Sequence, residues 1–331
     1  MKKIINNKET LLKDMLSGYS KANNDRVVLK QENVLYRKNK KSPNKVAVMI
    51  GNGSGHEPAM VDLVGKGLFD ANVCGQIFTA PSSIDMMKAV KTLHEDGHKD
   101  ILILVSSHSG DILNAKMTKM LAKAEGIEVK LVVLWDDVSS APKGMEEERR
   151  GTAGLFFPFK LTCAAAEDGM KIDELIDFSK KVRDNTRTLS VAIEGGVNPE
   201  SGLKTFELPE DEIEVGMGVH GEPGTGRMKL PKANELVKYM LDKIVEDKPY
   251  KEGDDVLVLL NNAGSMTYLE MYIVYDEIEK YLSEKGINIV RNFVGLYVTT
   301  QEMAGFSISL CKSDDEIVKY YDFEAEGPLF R

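Results

Sequence analysis

The side chain with the most distinctive chemistry in this sequence is a histidine in a glycine-rich loop. His220 lies in segment 216–224 (GMGVHGEPG), directly after an apolar run. Gly218 and Gly221 leave it almost without neighbouring side chains on its own loop, and a histidine ring is largely neutral near pH 7. A neutral ring nitrogen could add to the carbonyl carbon of a ketone or aldehyde and form a hemiaminal. Because that nitrogen carries no second hydrogen, the adduct cannot lose water to become an imine. The alternative interpretation is a histidine that hydrogen-bonds within its own turn.

A second loop has the same ingredients. Segment 51–58 (GNGSGHEP) follows the apolar run KVAVMI and precedes a predicted helix, which places it at the carboxyl end of a strand, where ligands of α/β sheets usually bind. Its glycines would allow close backbone approach to a ligand, and the helix start would offer N–H groups to oxygen atoms. Neither the dinucleotide fingerprint nor a P-loop is present, so nucleotide binding has little support. The alternative is a tight turn with His56 on the surface.

The third candidate loop is 106–114 (SSHSGDILN), again after an apolar run. The position of Asp111 suits a helix N-cap. Its carboxylate could equally accept a hydrogen bond from a bound hydroxyl group, or act as a base on it. The sequence leaves these two roles open.

Two further patterns resemble metal sites but are weak. His94 and His98 match the H-E-x-x-H pattern of zinc proteases, but Gly97 would interrupt the helix needed to hold both rings on one face. We therefore expect the end of a helix there. Asp136 and Asp137 are adjacent acids without a phosphate-binding loop, which is insufficient to indicate Mg²⁺. We predict no metal and no cofactor on this chain.

Short apolar runs alternate with longer segments of helical period, which predicts an α/β fold with largely buried strands. The predicted strands are 46–50, 101–106, 129–135, 189–193, 215–219, 256–260 and 306–310. The predicted helices are 8–21, 58–68, 84–95, 113–124, 161–167, 172–184, 233–245 and 269–284. The polar segment 180–188 marks a domain boundary. We expect an N-terminal α/β domain (1–185) with the glycine-rich ligand loops and a C-terminal α/β domain (186–331) with His220. Each would be a sheet flanked by helices, with the ligand site between them.

The composition limits the classes of function. A chain of 331 residues has room for about two domains. The net charge of −9 argues against direct contact with nucleic acid, which needs clustered Lys and Arg. Cys74, Cys163 and Cys311 are far apart, which suits reduced thiols. With no secretory leader and no long apolar run, we expect a cytoplasmic protein without membrane contact.

Five segments together carry a resemblance that spans almost the whole chain. They are GSGHEP (53–58), SGDILN (109–114), ERRGTAG (148–154), GVHGEPG (218–224) and VLVLLNNAGS (256–265). In this order they resemble the dihydroxyacetone-binding subunit of bacterial dihydroxyacetone kinases, the DhaK family. The resemblance implies a homodimer of two-domain α/β subunits.

The same resemblance implies a role for each site residue. His220 would hold dihydroxyacetone covalently through its carbonyl carbon, Gly53 and His56 would border the ligand, and Asp111 would bind a hydroxyl group. In a kinase, His56 and Asp111 would assist proton movement while a separate nucleotide-carrying subunit supplies the phosphoryl group. Further loop residues assigned to ligand contact are Ser54, Gly55, Ser106 and Gly218.

Two departures from the kinase pattern affect the predicted activity. The kinases typically read Lys-Asn-Tyr-Thr-Gly-Asp where this chain has SSHSGD, so Ser106 replaces a lysine that contacts the substrate. Asn52 stands where the kinases usually have another glycine. Loss of a cation removes electrostatic help for phosphoryl transfer. The chain thus looks more like the non-kinase branch of the family, DhaQ, which binds dihydroxyacetone and activates transcription with a TetR-like regulator. The alternative is the binding subunit of a phosphoenolpyruvate-dependent kinase.

Overall fold

The computed structural model describes residues 2–330, which form two compact units. Unit 1 comprises residues 2–134, 158–181 and 320–330, and unit 2 comprises residues 135–157 and 182–319. Each unit contains one six-stranded sheet flanked by helices, so the predicted α/β fold class is confirmed. Within the described residues, no helix is both long enough and apolar enough to cross a bilayer.

Unit 1 is built on a mixed sheet with the order β1-β2-β4-β3-β5-β6. Its strands are β1 (Val27–Lys30), β2 (Val34–Arg37), β3 (Ala47–Ser54), β4 (Ala71–Ile77), β5 (Ile101–Ser106) and β6 (Val129–Leu134). The helices are α1 (Leu11–Ala22), α2 (Ser83–Glu95), α3 (Ser109–Ala124), α4 (Phe156–Asp168) and α5 (Ile172–Asn185), the last two crossing a unit boundary. Strands β4, β3, β5 and β6 run parallel, and α2 and α3 cover one apolar core against them.

Unit 2 has a sheet with the order β11-β10-β12-β7-β8-β9, in which only β10 and β11 pair in parallel. Its strands are β7 (Thr186–Glu194), β8 (Glu212–Val215), β9 (Gly226–Lys229), β10 (Asp255–Asn262), β11 (Asn288–Gly295) and β12 (Ala304–Lys312). Helices α6 (Ala233–Asp247) and α7 (Tyr268–Glu284) bury their apolar faces in the same core as the sheet. Helix α8 (Asp315–Tyr321) leads back to unit 1.

The predicted helix 58–68 is wrong. The segment forms consecutive turns, with hydrogen bonds from Asp62 N to Pro58 O and from Phe69 N to Leu63 O. Tertiary packing overrides the helical pattern here, because a Cβ on Gly65 or Gly67 would lie 2.4 or 2.2 Å from backbone carbonyl oxygens of segment 324–326. The two glycines allow segment 324–326 to pack directly against this backbone. We infer that a helix at this position would not allow so close an approach.

The predicted strand 215–219 is also wrong beyond its first residue. Strand β8 ends at Val215, and Gly216 has a φ of +77°, which turns the chain away from the sheet. The other six predicted strands are present as parts of β3, β5, β6, β7, β10 and β12. Strands β1, β2, β4, β9 and β11 lie where no strand was predicted, because most of them are short or interrupted by polar residues.

The polar segment 180–188, where we placed the domain boundary, belongs to secondary structure and contains one of the crossings between the units. Helix α5 continues to Asn185 and β7 begins at Thr186, whose Oγ1 donates a 2.8 Å hydrogen bond to Val182 O. The chain passes from one unit to the other after Leu134, Phe157, Lys181 and Lys319. Unit 2 thus includes segment 135–157, and unit 1 includes the C-terminal segment 320–330.

Candidate functional site

Two of the three predicted loops lie in unit 1, at the same edge of its sheet. β3 and β5 are adjacent and parallel, so the loops that follow Ser54 and Ser106 both lie at the carboxyl ends of strands. A third segment, 78–82, joins them there. Asn114 Nδ2 donates a 2.9 Å hydrogen bond to Pro81 O, and Gly110 faces the Ala80 side chain. This is the edge at which α/β sheets bind ligands.

Two glycines allow the backbone of segment 78–82 to pack closely against β3 and β4. A Cβ on Gly53 would lie 2.7 Å from Thr79 N, and one on Gly75 would lie 1.9 Å from Thr79 O. Ser54 donates a 2.8 Å hydrogen bond to Gly75 O, so its hydroxyl joins β3 to β4. Gly53 therefore permits close backbone packing, in addition to any role toward a ligand.

We expect Gly53→Ala to destabilise the protein by about 1–3 kcal/mol, the usual cost of overpacking, because the added carbon meets backbone atoms that cannot rotate away. Urea unfolding followed by circular dichroism measures the change. Gly18→Ala in α1 is the matched control. No atom lies within 4 Å of its new Cβ, and alanine in a helix interior should add about 0.5–1 kcal/mol. Equal stability of the two variants would contradict the expected clash.

His56 is buried, so the alternative of a surface histidine is wrong. Its side chain is packed in the loop, with its ring centroid 5.1 Å from that of Phe78. Gly55 N donates hydrogen bonds of 3.0 and 3.1 Å to the two carboxylate oxygens of Glu57. Burial raises the pKa of the Glu57 carboxyl above its usual value, although this hydrogen bond opposes the shift.

Asp111 is not the N-cap of α3. The helix begins at Ser109, four residues before the predicted start, and His108 is its N-cap, which places Asp111 in the first turn. The Asp111 side chain is buried, and its Oδ2 lies 3.5 Å from His108 Nδ1. Its buried Oδ1 has no hydrogen-bond partner within residues 2–330. A buried acceptor of this kind is costly unless a ligand or water donates to it, which favours the ligand role.

Ser106 is the last residue of β5 and is buried. The chain turns directly after it, since Ser107 N donates to Leu134 O and His108 N donates to Ser106 O. The loop that carries Asp111 therefore starts at a small, neutral residue.

In unit 2, His220 is held by a carboxylate. Its Nδ1 lies 2.8 Å from Glu222 Oε1, and its backbone N–H donates a 2.9 Å hydrogen bond to Oε2 of the same group. Burial alone would raise the pKa of Glu222, but the hydrogen bond and charge of His220 outweigh it and lower that pKa to about 2. An ionised carboxylate can only accept, so Nδ1 carries the hydrogen. In the neutral ring Nε2 therefore carries the lone pair.

The expectation that His220 has almost no side-chain neighbours on its loop is wrong. The glycines admit the Glu222 carboxylate, because a Cβ on Gly218 would lie 2.1 Å from Glu222 Oε2 and 2.8 Å from Arg150 Nη1. The imidazole does hydrogen-bond within its own turn, as the alternative interpretation held. Its side chain nevertheless keeps 24% of its surface exposed. Gly218 thus makes room for the group that orients the ring.

Two residues that the sequence analysis did not identify donate hydrogen bonds to the backbone of this loop. Arg150 donates to Gly216 O (2.9 Å) and to the buried carboxylate of Asp137 (2.8 Å). Thr300 Oγ1 donates to Val219 O over 2.7 Å. The sequence signal for Arg150 was its place in the ERRGTAG segment, and Glu222 was visible two residues after the histidine.

The two metal-like patterns have structural roles. Helix α2 ends at Glu95, before Gly97 with its φ of +98°, and His98 Nδ1 lies 3.0 Å from Lys45 O in a buried position. Asp136 accepts hydrogen bonds from Thr152 and from Gly154 N. Burial raises the pKa of Asp136 to about 6, although hydrogen bonds from Thr188 and Thr152 oppose the shift.

The family model of the Dak1 domain matches residues 17–329 of this chain. The chain belongs to the Dak1 domain family. It is 36% identical over 316 residues to the dihydroxyacetone-binding subunit DhaK of the PTS-dependent dihydroxyacetone kinase 1 of Listeria innocua, a match that covers 96% of this chain and 95% of that subunit. The predicted family is therefore confirmed.

Solved structures of both a co-activator and a kinase match the Dak1 chain. The dihydroxyacetone kinase operon co-activator Dha-DhaQ matches with a TM-score of 0.87 and 28% identity, covering 93% of this chain and 94% of that one. The dihydroxyacetone kinase from C. freundii, solved in complex with AMP-PNP and Mg²⁺, also gives 0.87, with 27% identity over 98% of this chain and 60% of that one. Overall backbone similarity does not separate the two functions.

Proposed function

We propose that this chain binds dihydroxyacetone and acts as a ligand-dependent co-activator of a TetR-like transcription regulator of a dihydroxyacetone operon. The proposal is supported by Dak1 family membership, by the similarity to the Dha-DhaQ co-activator and by the chemistry at His220. In this proposal the protein is cytoplasmic and the regulator, not this acidic chain, contacts DNA.

Capture of the ligand proceeds by addition to its carbonyl group. The lone pair on His220 Nε2 forms a bond to the carbonyl carbon, and the electron pair of the C=O bond moves to the oxygen. That oxygen takes a proton, and the ring loses the Nδ1 hydrogen, so the net result is a neutral hemiaminal with no atom lost. Glu222 keeps the hydrogen on Nδ1 beforehand and stabilises the positive ring during addition.

Asp111 and the glycine-rich loop recognise the rest of the ligand in this proposal. The buried Oδ1 of Asp111 accepts a hydrogen bond from a ligand hydroxyl group, which satisfies an acceptor that lacks a donor among the described residues. His56 and the backbone around Gly53 border the ligand, and Ser54, Gly55, Ser106 and Gly218 complete the proposed contact set.

Ser106 is the residue that favours a co-activator function over a kinase function. It stands where the resemblance places a lysine in the kinases, and it is buried at the end of β5. A phosphoryl acceptor gains from a cation that neutralises the approaching negative charge. A neutral hydroxyl cannot supply this charge, whereas capture of the ligand by His220 does not require it.

The second candidate function is the dihydroxyacetone-binding subunit of a phosphoenolpyruvate-dependent kinase. The observation that favours it is the 36% identity to the Listeria innocua subunit over nearly its full length. His56 and Asp111 would then assist proton movement toward a phosphoryl group that a nucleotide-carrying subunit supplies. Under either function we propose a homodimer, which size-exclusion chromatography with light scattering would test.

A reconstituted transfer assay distinguishes the two functions. The purified chain is mixed with a nucleotide-carrying donor subunit, its phosphoenolpyruvate-dependent phosphoryl source and dihydroxyacetone. We expect no turnover above background, although native mass spectrometry detects the ligand adduct in the same sample. A kinase binding subunit tested with the same donor verifies that the assay works. Robust formation of dihydroxyacetone phosphate by this chain would overturn the co-activator proposal.

A further inference from the structure

Helix α3 exposes an apolar stripe that the monomer does not cover. Leu113, Met117, Met120 and Leu121 lie at helical spacing on one side, with exposed fractions of 64%, 43%, 66% and 36%. The opposite side, which includes Ala115, Thr118 and Ala122, is buried against unit 1. A surface helix normally shows polar residues on its solvent side, and contiguous exposed apolar patches often mark interaction sites.

The exposed charged residues of α3 are all lysines. Lys116, Lys119 and Lys123 are exposed on the same helix, and none forms an ion pair within residues 2–330. The nearby acids have other partners, since Glu125 pairs with Lys91 and Glu128 with Lys130. We call the four apolar residues and these three lysines the α3 face. It is locally positive although the chain carries a net charge of −9.

We propose that the α3 face is a docking surface for an acidic amphipathic helix on a partner protein. This inference rests on the proposed function, because it names the surface that a co-activator would present. An apolar stripe fits a helix of the same kind, methionines adapt to varied side chains, and the lysines favour acids at the edges of the contact. An antiparallel symmetric contact between α3 helices of two copies would place the lysine edges of both copies on the same side, which is unfavourable.

The α3 face is continuous with the candidate ligand loop. Asp111, whose buried Oδ1 has no hydrogen-bond partner in the part of the chain that the structure describes, lies in the first turn of the same helix, just before the apolar stripe begins. Helix α3 is fixed to segment 78–82 by the hydrogen bond from Asn114 to Pro81 O. A ligand hydroxyl that binds Asp111 therefore acts on the element that carries the docking surface.

The test uses two fluorescently labelled helical peptides of about 18 residues, or five turns, with leucines at helical spacing and either glutamate or lysine at the other positions. Fluorescence anisotropy with the full chain measures binding. We expect the acidic peptide to bind and the basic one not to bind. The variant K116E/K119E/K123E should weaken binding of the acidic peptide by about tenfold or more, and M117S/M120S should do the same.

Charge reversal on α6, K238E/K243E, is the matched control and should leave peptide binding unchanged, because these lysines lie in unit 2. Equal binding of both peptides would overturn the proposal, and so would unchanged peptide binding by the α3 variants. Conversion of a wild-type dimer to monomers by M117S/M120S would also overturn it, because the α3 face would then be the contact with a second copy. Adduct formation is measured on the same variants. Loss of peptide binding with a normal adduct separates failure of docking from failure of ligand capture.

Discussion

We expect the His220→Ala variant to form no covalent adduct with dihydroxyacetone, whereas the wild-type chain gains the mass of one whole ligand molecule in native mass spectrometry. Addition of a ring nitrogen to a ketone loses no atom, so the adduct keeps the full mass of the ligand. The adduct should also be reversible on dilution, because a hemiaminal can collapse back to the ketone.

The mass of the adduct distinguishes histidine from lysine as the nucleophile. A lysine amine would form an imine and expel one water molecule, which gives a smaller mass gain than a hemiaminal. Cys74, Cys163 and Cys311 are buried, and burial raises the pKa of each thiol, so reactive thiolates are disfavoured at these positions. His220 therefore remains the proposed nucleophile.

Asp111→Asn provides the comparison for His220→Ala. The amide keeps the shape of the side chain but lacks the charge, so ligand affinity should fall by about 1–3 kcal/mol, the range for a hydrogen bond to a charged group, while the adduct still forms. An adduct of unchanged mass and abundance in His220→Ala would identify another nucleophile. In that case the capture mechanism would be incorrect.

The sequence predicted the loops well because their chemistry is local. An apolar run followed by glycines and a histidine is typical of a strand that ends in a ligand loop, and β3, β5 and β8 each end within or next to a predicted loop segment, although residues 51–54 belong to β3 and α3 begins at Ser109. The continuous apolar run ILILV also predicts correctly that β5 is buried on both faces. These features depend on neighbouring residues, which are visible in the chain.

The sequence could not predict features that depend on distant contacts. The 58–68 helix fails because a segment more than 250 residues further along packs against Gly65 and Gly67. Arg150 and Thr300 support the His220 loop from positions far from it in the chain. For Asp111, the error was a helix start four residues too late, and boundaries are the least certain part of a helical pattern.

Glu222 was visible in the sequence but its role was not. The pattern H-G-E does not reveal that the carboxylate folds back onto the ring, because this contact depends on the close approach that Gly218 allows. The structure therefore adds a positioning residue to the predicted site. This residue makes a testable contribution of its own.

We expect Glu222→Ala to slow adduct formation by about 10- to 100-fold, by analogy with the loss seen when the group that orients a metal-binding histidine is removed. Without the carboxylate the ring can rotate, and either nitrogen can carry the hydrogen, so Nε2 is no longer held as the nucleophile. Glu222→Gln should recover part of the rate, because its amide oxygen still accepts from Nδ1. The rate is measured by quenching the reaction at intervals and determining the adduct fraction by mass spectrometry.

The pH dependence of stability separates this positioning role from simple packing. Because the folded-state pKa of Glu222 is about 2, the pair stabilises the native state fully above the ordinary glutamate pKa and loses this contribution as the pH falls toward 2. The difference in unfolding free energy between wild type and Glu222→Gln should therefore shrink as the pH falls from the ordinary glutamate pKa toward 2. A pH-independent difference, or an unchanged adduct rate in Glu222→Ala, would mean that the carboxylate does not act through the imidazole.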